Sequence, residues 1–187
     1  MSQVAWQNIN MTLPDAGEIP PSRWSWVRDP GSLTQRLRTW APHQIQFHVL
    51  TSNLGEVTTE ERLALHLTDE NPHWVREIEW RYQNELWIVA RTIIPHTLQT
   101  HSDLYLALLN AQTSSIGSIL FSSGGFLRGP IELAKLPPSH FYYSIVKGKI
   151  PQLNAKYLWT RRSIFSRGEE RILVSEIFLP AFFNYAS

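Results

Sequence analysis

The sequence has no cysteine in its 187 residues. That absence removes disulfides, thiolate metal ligands and a cysteine nucleophile from consideration. It has no run approaching the ~18 apolar residues needed to span a bilayer. The segment up to Pro21 carries Asp15, Glu18 and prolines around no apolar stretch, which excludes a secretory signal. Charge of one sign is also missing: the formal net charge is +1, so the chain lacks the global field of a dedicated nucleic-acid binder. There is no HExxH, no paired acidic metal motif and no glycine-rich phosphate loop. His43 and His48, like His96 and His101, are five apart, which does not put a pair on one helical face. No metal and no cofactor are expected. Lysine is scarce, with 4 against 13 arginines, and arginine is the side chain whose planar fork reads carboxylates. What is present is 43% hydrophobic and 12% aromatic residues, enough for one folded core. The expectation is a soluble, cytoplasmic monomer with one domain over residues 1–187, residues 1–21 forming an N-terminal arm, and no nucleic-acid partner.

Hydrophobic periodicity predicts a short helix over Ser32–Trp40, with Ser32 as N-cap, and a second starting at Thr58–Glu61. Alternation predicts strands at Gln44–Leu50, Trp74–Tyr82, Leu86–Ile94, Phe141–Val146, Tyr157–Phe165 and Arg171–Leu179, the last stopped by Pro180. Ser102–Asn110 reads as a helix, Ser122–Gly125 as a loop, and Ile131–Leu136 as ambiguous. Strands joined by short turns, with helices inserted between them, argue for an α+β fold on an antiparallel sheet.

Four charges stand in apolar stripes of these strands. Successive strand side chains alternate faces. Arg76 falls with Trp74, Ile78, Trp80 and Tyr82, and Glu176 with Ile172, Val174 and Phe178. Arg91 falls with Trp87, Val89 and Ile93, and Arg161 with Tyr157, Trp159 and Phe165. Burying an ion costs several kcal/mol even after relaxation. Each therefore needs an opposite charge, hydrogen bonds or a ligand. A four-residue turn Arg167–Glu170 sets Glu176 opposite Arg161, and a two-residue turn sets it opposite Trp159; the shared face is the same in both. Three arginines and one glutamate leave two positive charges over, which suits an anionic small molecule with two acid groups and a hydroxyl. An internal ion network is the structural alternative.

The sequence resembles the chorismate pyruvate-lyase family in Asp29-Pro30-Gly31-Ser32-Leu33-Thr34-x-Arg36-Leu37, Trp74-Val75-Arg76-Glu77 and Ala90-Arg91-Thr92-Ile93-Ile94-Pro95. Further matches are Ile116-Gly117-x-x-Leu120-Phe121, Leu158-Trp159-x-Arg161-Arg162-Ser163 and Glu176-Ile177-Phe178-Leu179-Pro180. The resemblance implies a single antiparallel sheet whose helices and helical flaps cover an enclosed ligand site. It implies elimination of pyruvate from chorismate to give 4-hydroxybenzoate, the first committed step of ubiquinone biosynthesis. By the same resemblance Arg76 holds the ring carboxylate, backbone groups at Leu33 and Ile116 line the pocket, and Glu176 faces the ring hydroxyl. Arg91 or Arg161 would meet the enolpyruvyl carboxylate. Ile116 stands where the family more often has leucine. The alternative is a small-acid-sensing domain of the same fold, as in some bacterial regulators. Such domains usually follow a winged helix, and the residues before Trp24 are too few and too proline-broken for one.

Overall fold

The computed structural model describes residues 4–10, 19–100, 116, 119–120 and 125–185. The expected helix Ser102–Asn110, Gly117 and the loop up to Gly124 lie outside them. In chain order the elements are β1 (Gln7–Asn8), α1 (Pro21–Val27), α2 (Leu33–Trp40), β2 (Ile45–Gly55), α3 (Thr59–Leu65), β3 (His73–Tyr82) and β4 (Glu85–Ile94). After a 3-10 turn at His96–Thr100 come β5 (Leu127–Arg128), β6 (Glu132–Leu136), α4 (Phe141–Lys149), β7 (Leu158–Arg167), β8 (Glu170–Phe178) and α5 (Pro180–Asn184). One antiparallel sheet in the order β1-β6-β7-β8-β4-β3-β2, with β5 against β7, carries every described strand. The fold is α+β, and no helix among the described residues is long and apolar enough to cross a membrane.

Local chemistry sets the two helices that matter most here. Ser32 caps α2 by accepting the Gln35 N–H at 3.3 Å. Thr58 and Glu61 form a reciprocal capping box on α3. The β3–β4 hairpin turns on Gln83 and Asn84, both at positive φ (49° and 68°), the type I′ geometry that matches strand twist. Next to that turn Tyr82 pairs with Glu85 and Arg81 with Leu86, but Trp80 pairs with Ile88. Trp87 is the extra residue of a bulge. Its ring lies at 4.6 Å from Tyr82 and 5.7 Å from Phe182, in the same cluster as Ile88. The β7–β8 hairpin pairs Arg167 with Glu170 across Gly168 (φ 57°), so Glu176 stands opposite Arg161.

Three expectations change. Phe141–Val146 is the start of helix α4 rather than a strand. Its aromatic and β-branched residues favour strands locally, but Tyr142, Tyr143 and Val146 are buried at helical spacing, and the His140 ring caps Tyr142 N–H. Part of the expected arm is structured: Gln7 and Asn8 pair with Leu133 and Glu132 at the sheet edge. Pro21 opens α1 at a position where its missing N–H costs nothing. The ambiguous Ile131–Leu136 contains strand β6.

Each face of the sheet carries two apolar clusters. On one face Trp26, Trp80, Trp87 and Phe182 centre the first, and Ile94, Ile116, Phe165 and Ile172 the second. On the other face Leu86, Val89, Tyr142 and Ile177 stand apart from Val75, Ile93 and Leu173. Between the clusters, on both faces, runs a belt of charge across β3, β4 and β8.

Candidate functional site

On the first face the belt is a cavity of about 40 Å³. Its floor is Arg76, Ile78, Trp80, Ala90, Thr92, Val174 and Glu176, contributed by β3, β4 and β8. The start of α2 (Leu33 and Thr34, after Gly31 and Ser32), Ile116, Arg128 and Phe165 close over it. Arg76 is 2% exposed, and its neighbours across the ladders are Thr92 and Ser52. Burial lowers its pKa below the ordinary arginine value. Leu33 is the first residue of α2, where backbone N–H groups have no intrahelical partner and the helix end is partly positive.

Glu176 lies between two guanidinium groups. Arg161 Nε donates to its Oε2 at 2.5 Å, and Arg128 Nη2 is 3.8 Å from the same oxygen. Arg161 is fully buried, and its Nη1 also donates to the carbonyls of Trp26, Val27 and Asp29 at 3.0–3.1 Å. These contacts saturate one edge of Arg161 and hold it behind Glu176, off the cavity wall. Arg128 donates to Ser163 Oγ and to the carbonyls of Pro30 and Gly31, so it pins the loop before α2 above the cavity. Burial pulls its pKa down to about 10, against the raising effect of Glu176 and with the help of Arg161.

Of the residues singled out from sequence, Leu33, Arg76, Ile116 and Glu176 meet in this cavity, and Arg161 backs Glu176. Arg91 is not brought there. It lies on the opposite face, where Nε donates to Glu61 at 2.7 Å and Nη1 to Glu77 at 2.8 Å. Burial pulls the Arg91 pKa down, but the hydrogen bond and charge of Glu61 outweigh it and leave the value raised. The bulge is the physical reason for the misplacement. A plain hairpin turning on Gln83 and Asn84 would set Arg91 across from Arg76; the extra Trp87 sets Thr92 there and puts Arg91 across from Glu77. Arg128 went unnoticed because β5 has two residues and no stripe to violate. The signal was present as an arginine beside Phe126 and Leu127 with no acid within three residues of it.

Among the described residues the cavity is lined by two guanidinium groups (Arg76, Arg128) and one carboxylate (Glu176), with Arg161 behind Glu176 and the charge of Asp29 acting on both Arg128 and Arg161. The arrangement can hold a small dianion and present a carboxylate to it.

A family model described as chorismate lyase matches residues 1–187. A Coxiella burnetii protein named probable chorismate pyruvate-lyase is 39% identical over 176 residues, covering 91% of this chain and 92% of the relative. A Pseudomonas aeruginosa protein of the same name is 33% identical over 168 residues, covering 90% and 89%. Among solved structures, the C-terminal domain of a histidine utilization repressor from Pseudomonas syringae superposes with a TM-score of 0.57 at 10% identity, over 77% of this chain and 97% of that one. That likeness concerns the fold alone.

Proposed function

The chain belongs to the chorismate lyase family, a family of lyases, and from that premise we propose that it eliminates pyruvate from chorismate to give 4-hydroxybenzoate in the cavity floored by Arg76 and Glu176. The observation that carries this reading is that Arg76, Arg128 and Glu176 line one cavity, with Arg161 bonded to Glu176 from behind. Chorismate has two carboxylates and one hydroxyl, which match those two guanidinium groups and that carboxylate.

In the reaction the ring carbon bearing the hydroxyl loses its hydrogen, and the ether C–O bond to the enolpyruvyl group breaks. The electron pair becomes the third ring double bond, and the departing enolate gains a proton at its methylene carbon to become pyruvate. Arg76 holds the ring carboxylate through a charge-assisted pair. Arg128 takes the role the sequence left between Arg91 and Arg161: it meets the enolpyruvyl carboxylate and the negative charge that grows on the leaving group. Main-chain groups at Leu33 and Ile116 fix the ring plane between them. Glu176, oriented by Arg161, accepts the ring hydroxyl and stands where it can assist removal of the adjacent hydrogen. A concerted shift of that hydrogen to the enolpyruvyl carbon needs no such base, and the same clamp serves it by holding the reactive pose. The ring becomes aromatic, so no redox group or metal is required.

The product suits a cytoplasmic supply of the ubiquinone ring.

The test is to incubate the full chain with chorismate and follow pyruvate release with chromatographic identification of the aromatic product. Arg76→Ala is expected to remain folded by circular dichroism and to lose most turnover. Normal turnover by that variant overturns the site assignment. Tight binding of chorismate with no pyruvate overturns the lyase reading in favour of a sensor.

A further inference from the structure

Away from the cavity, Asp69, His73 and His96 bring three metal-ligating atoms within 4.8 Å of one another. They come from separate places. Asp69 is in the loop after α3, His73 is the first residue of β3, and His96 lies just beyond β4. Pairing of Trp74 with Ile94 sets the two histidines side by side at the strand ends, with ring centroids 5.6 Å apart. His73 Nε2 is 3.9 Å and His96 Nδ1 is 3.8 Å from Asp69 Oδ1. Both separations are too long for hydrogen bonds.

His73 is fully buried, yet among the described residues its Nε2 has no hydrogen-bond partner, and the buried Nδ1 of His96 has none either. A buried polar atom without a partner is costly and rare. Here two such atoms converge on one carboxylate oxygen. We propose that Asp69 Oδ1, His73 Nε2 and His96 Nδ1 form a binding site for a divalent transition-metal ion of the zinc type.

Two imidazoles and a carboxylate are a donor set that borderline ions prefer. Tetrahedral zinc with bonds near ~2.0–2.1 Å sets its ligand atoms roughly 3.4 Å apart, so the Asp69 edges must close by about half an ångström and the edge between the two histidine nitrogens, which lie within 4.8 Å, by up to roughly 1.4 Å. His73 is the fixed anchor. Asp69 and His96 are about a third exposed and are free to adjust. Three protein ligands leave the fourth position to water. Coordination through Nε2 places the His73 ring proton on Nδ1, which gives up the long 3.3 Å contact from His96 N–H. In return the Asn71 N–H, 2.9 Å from Asp69 Oδ1, orients the carboxylate. None of the three residues lines the cavity. The ion would tie the loop after α3 to the exit of β4. Sequence spacing concealed this site because its ligands meet across a strand pair and a loop.

The test uses the full chain, stripped with a chelator and titrated with Co²⁺, then Zn²⁺. One equivalent of Co²⁺ should give the visible absorption bands of a tetrahedral site, Zn²⁺ should displace it, and the thermal midpoint should rise with Zn²⁺. Asp69→Asn and His96→Ala should each weaken binding about tenfold or more while leaving metal-free pyruvate release unchanged. These two positions are partly exposed, so the test does not depend on replacing buried His73. Absence of stoichiometric bands overturns the proposal, as does undiminished affinity in both variants.

Discussion

Arg91→Met separates a structural cation from a substrate-binding one. Arg91 is bonded through Nε and Nη2 to both oxygens of Glu61, through Nη1 to Glu77 and through Nη2 to the Glu56 carbonyl. Methionine keeps much of the stem and removes the charge. Glu61, 1% exposed, would retain the Tyr142 hydroxyl and the Thr58 N–H but no cation on Oε1 and Oε2. Removing one partner of such a pair costs about 3–5 kcal/mol. For a chain of this length that corresponds to a fall of roughly 6–20 °C in thermal midpoint. Urea denaturation with an unchanged slope would measure the same loss as free energy. The double variant Arg91→Met/Glu61→Gln removes both buried charges and should recover much of it, a coupling that a double-mutant cycle reads directly. Because Arg91 projects away from the cavity, kcat/KM per folded molecule should stay within about twofold. A stable variant with impaired turnover would refute the reasoning, since it would mean that Arg91 reaches substrate.

Arg128→Met should raise KM about 10- to 100-fold, the equivalent of losing one charged hydrogen bond of ~1.5–3 kcal/mol. With a pKa near 10, the wild-type Arg128 should also release substrate analogues as pH rises through that value, a limb that calorimetric titration should find missing from the variant. Glu60 accepts from Trp6 Nε1 at 2.8 Å, meets His140 at 3.3 Å and has Arg162 at 3.5 Å. Burial pushes its carboxyl up, but the hydrogen bonds from His140 and Trp6 outweigh that and leave it below the ordinary value of 4.5. A carboxyl depressed in the folded state stabilises above its unfolded pKa and loses that contribution as pH falls through the folded one. Glu60→Gln should therefore lower the urea midpoint at pH 7 and flatten its decline below pH ~4.5; an unaltered pH profile would remove Glu60 from the acid response. A dianionic substrate analogue at 100 times its Kd should add about 2.7 kcal/mol, or roughly 5–10 °C, to wild type and much less to Arg76→Ala. An equal shift in that variant would place the ligand elsewhere.

Most of the site was legible because a charge inside an apolar stripe is visible in one strand's alternation alone. Arg76, Glu176 and Arg161 were found in this way, and the four-residue turn placing Glu176 opposite Arg161 was one of two registers open to the sequence. What alternation cannot show is which stripes of different strands share a face. That depends on register, and one bulge at Trp87 moved Arg91 to the far side of the sheet. The bulge itself has a packing cause: it lets Trp87 and Ile88 enter the same cluster beneath Trp40 and Phe182. Arg128 was hidden for a different reason, since a two-residue strand carries no periodic signal. Phe141–Val146 misled because local propensity and tertiary burial disagree there, and burial decided.

The two belts of charge explain each other. They cross the same strands at the same level, with Ala90 opposite Glu176 and Arg91 opposite Ser175 as adjacent rungs of one ladder. On the far face one guanidinium is shared by Glu61 and Glu77, with Tyr142 and Ser175 completing the hydrogen bonds. That belt is satisfied by the protein itself, and its arginine has a raised pKa. On the cavity face Arg76 and Arg128 have lowered values, with burial the largest influence on each. A lowered value does not by itself mark a ligand site, because buried Arg23 has one outside the cavity, and burial does not either, because Arg76, Arg91 and Arg161 are all buried alike. What separates the two belts is access: Arg91 is enclosed by Glu61, Glu77 and the Glu56 carbonyl, whereas Arg76, Arg128 and Glu176 line a cavity that an acid can enter.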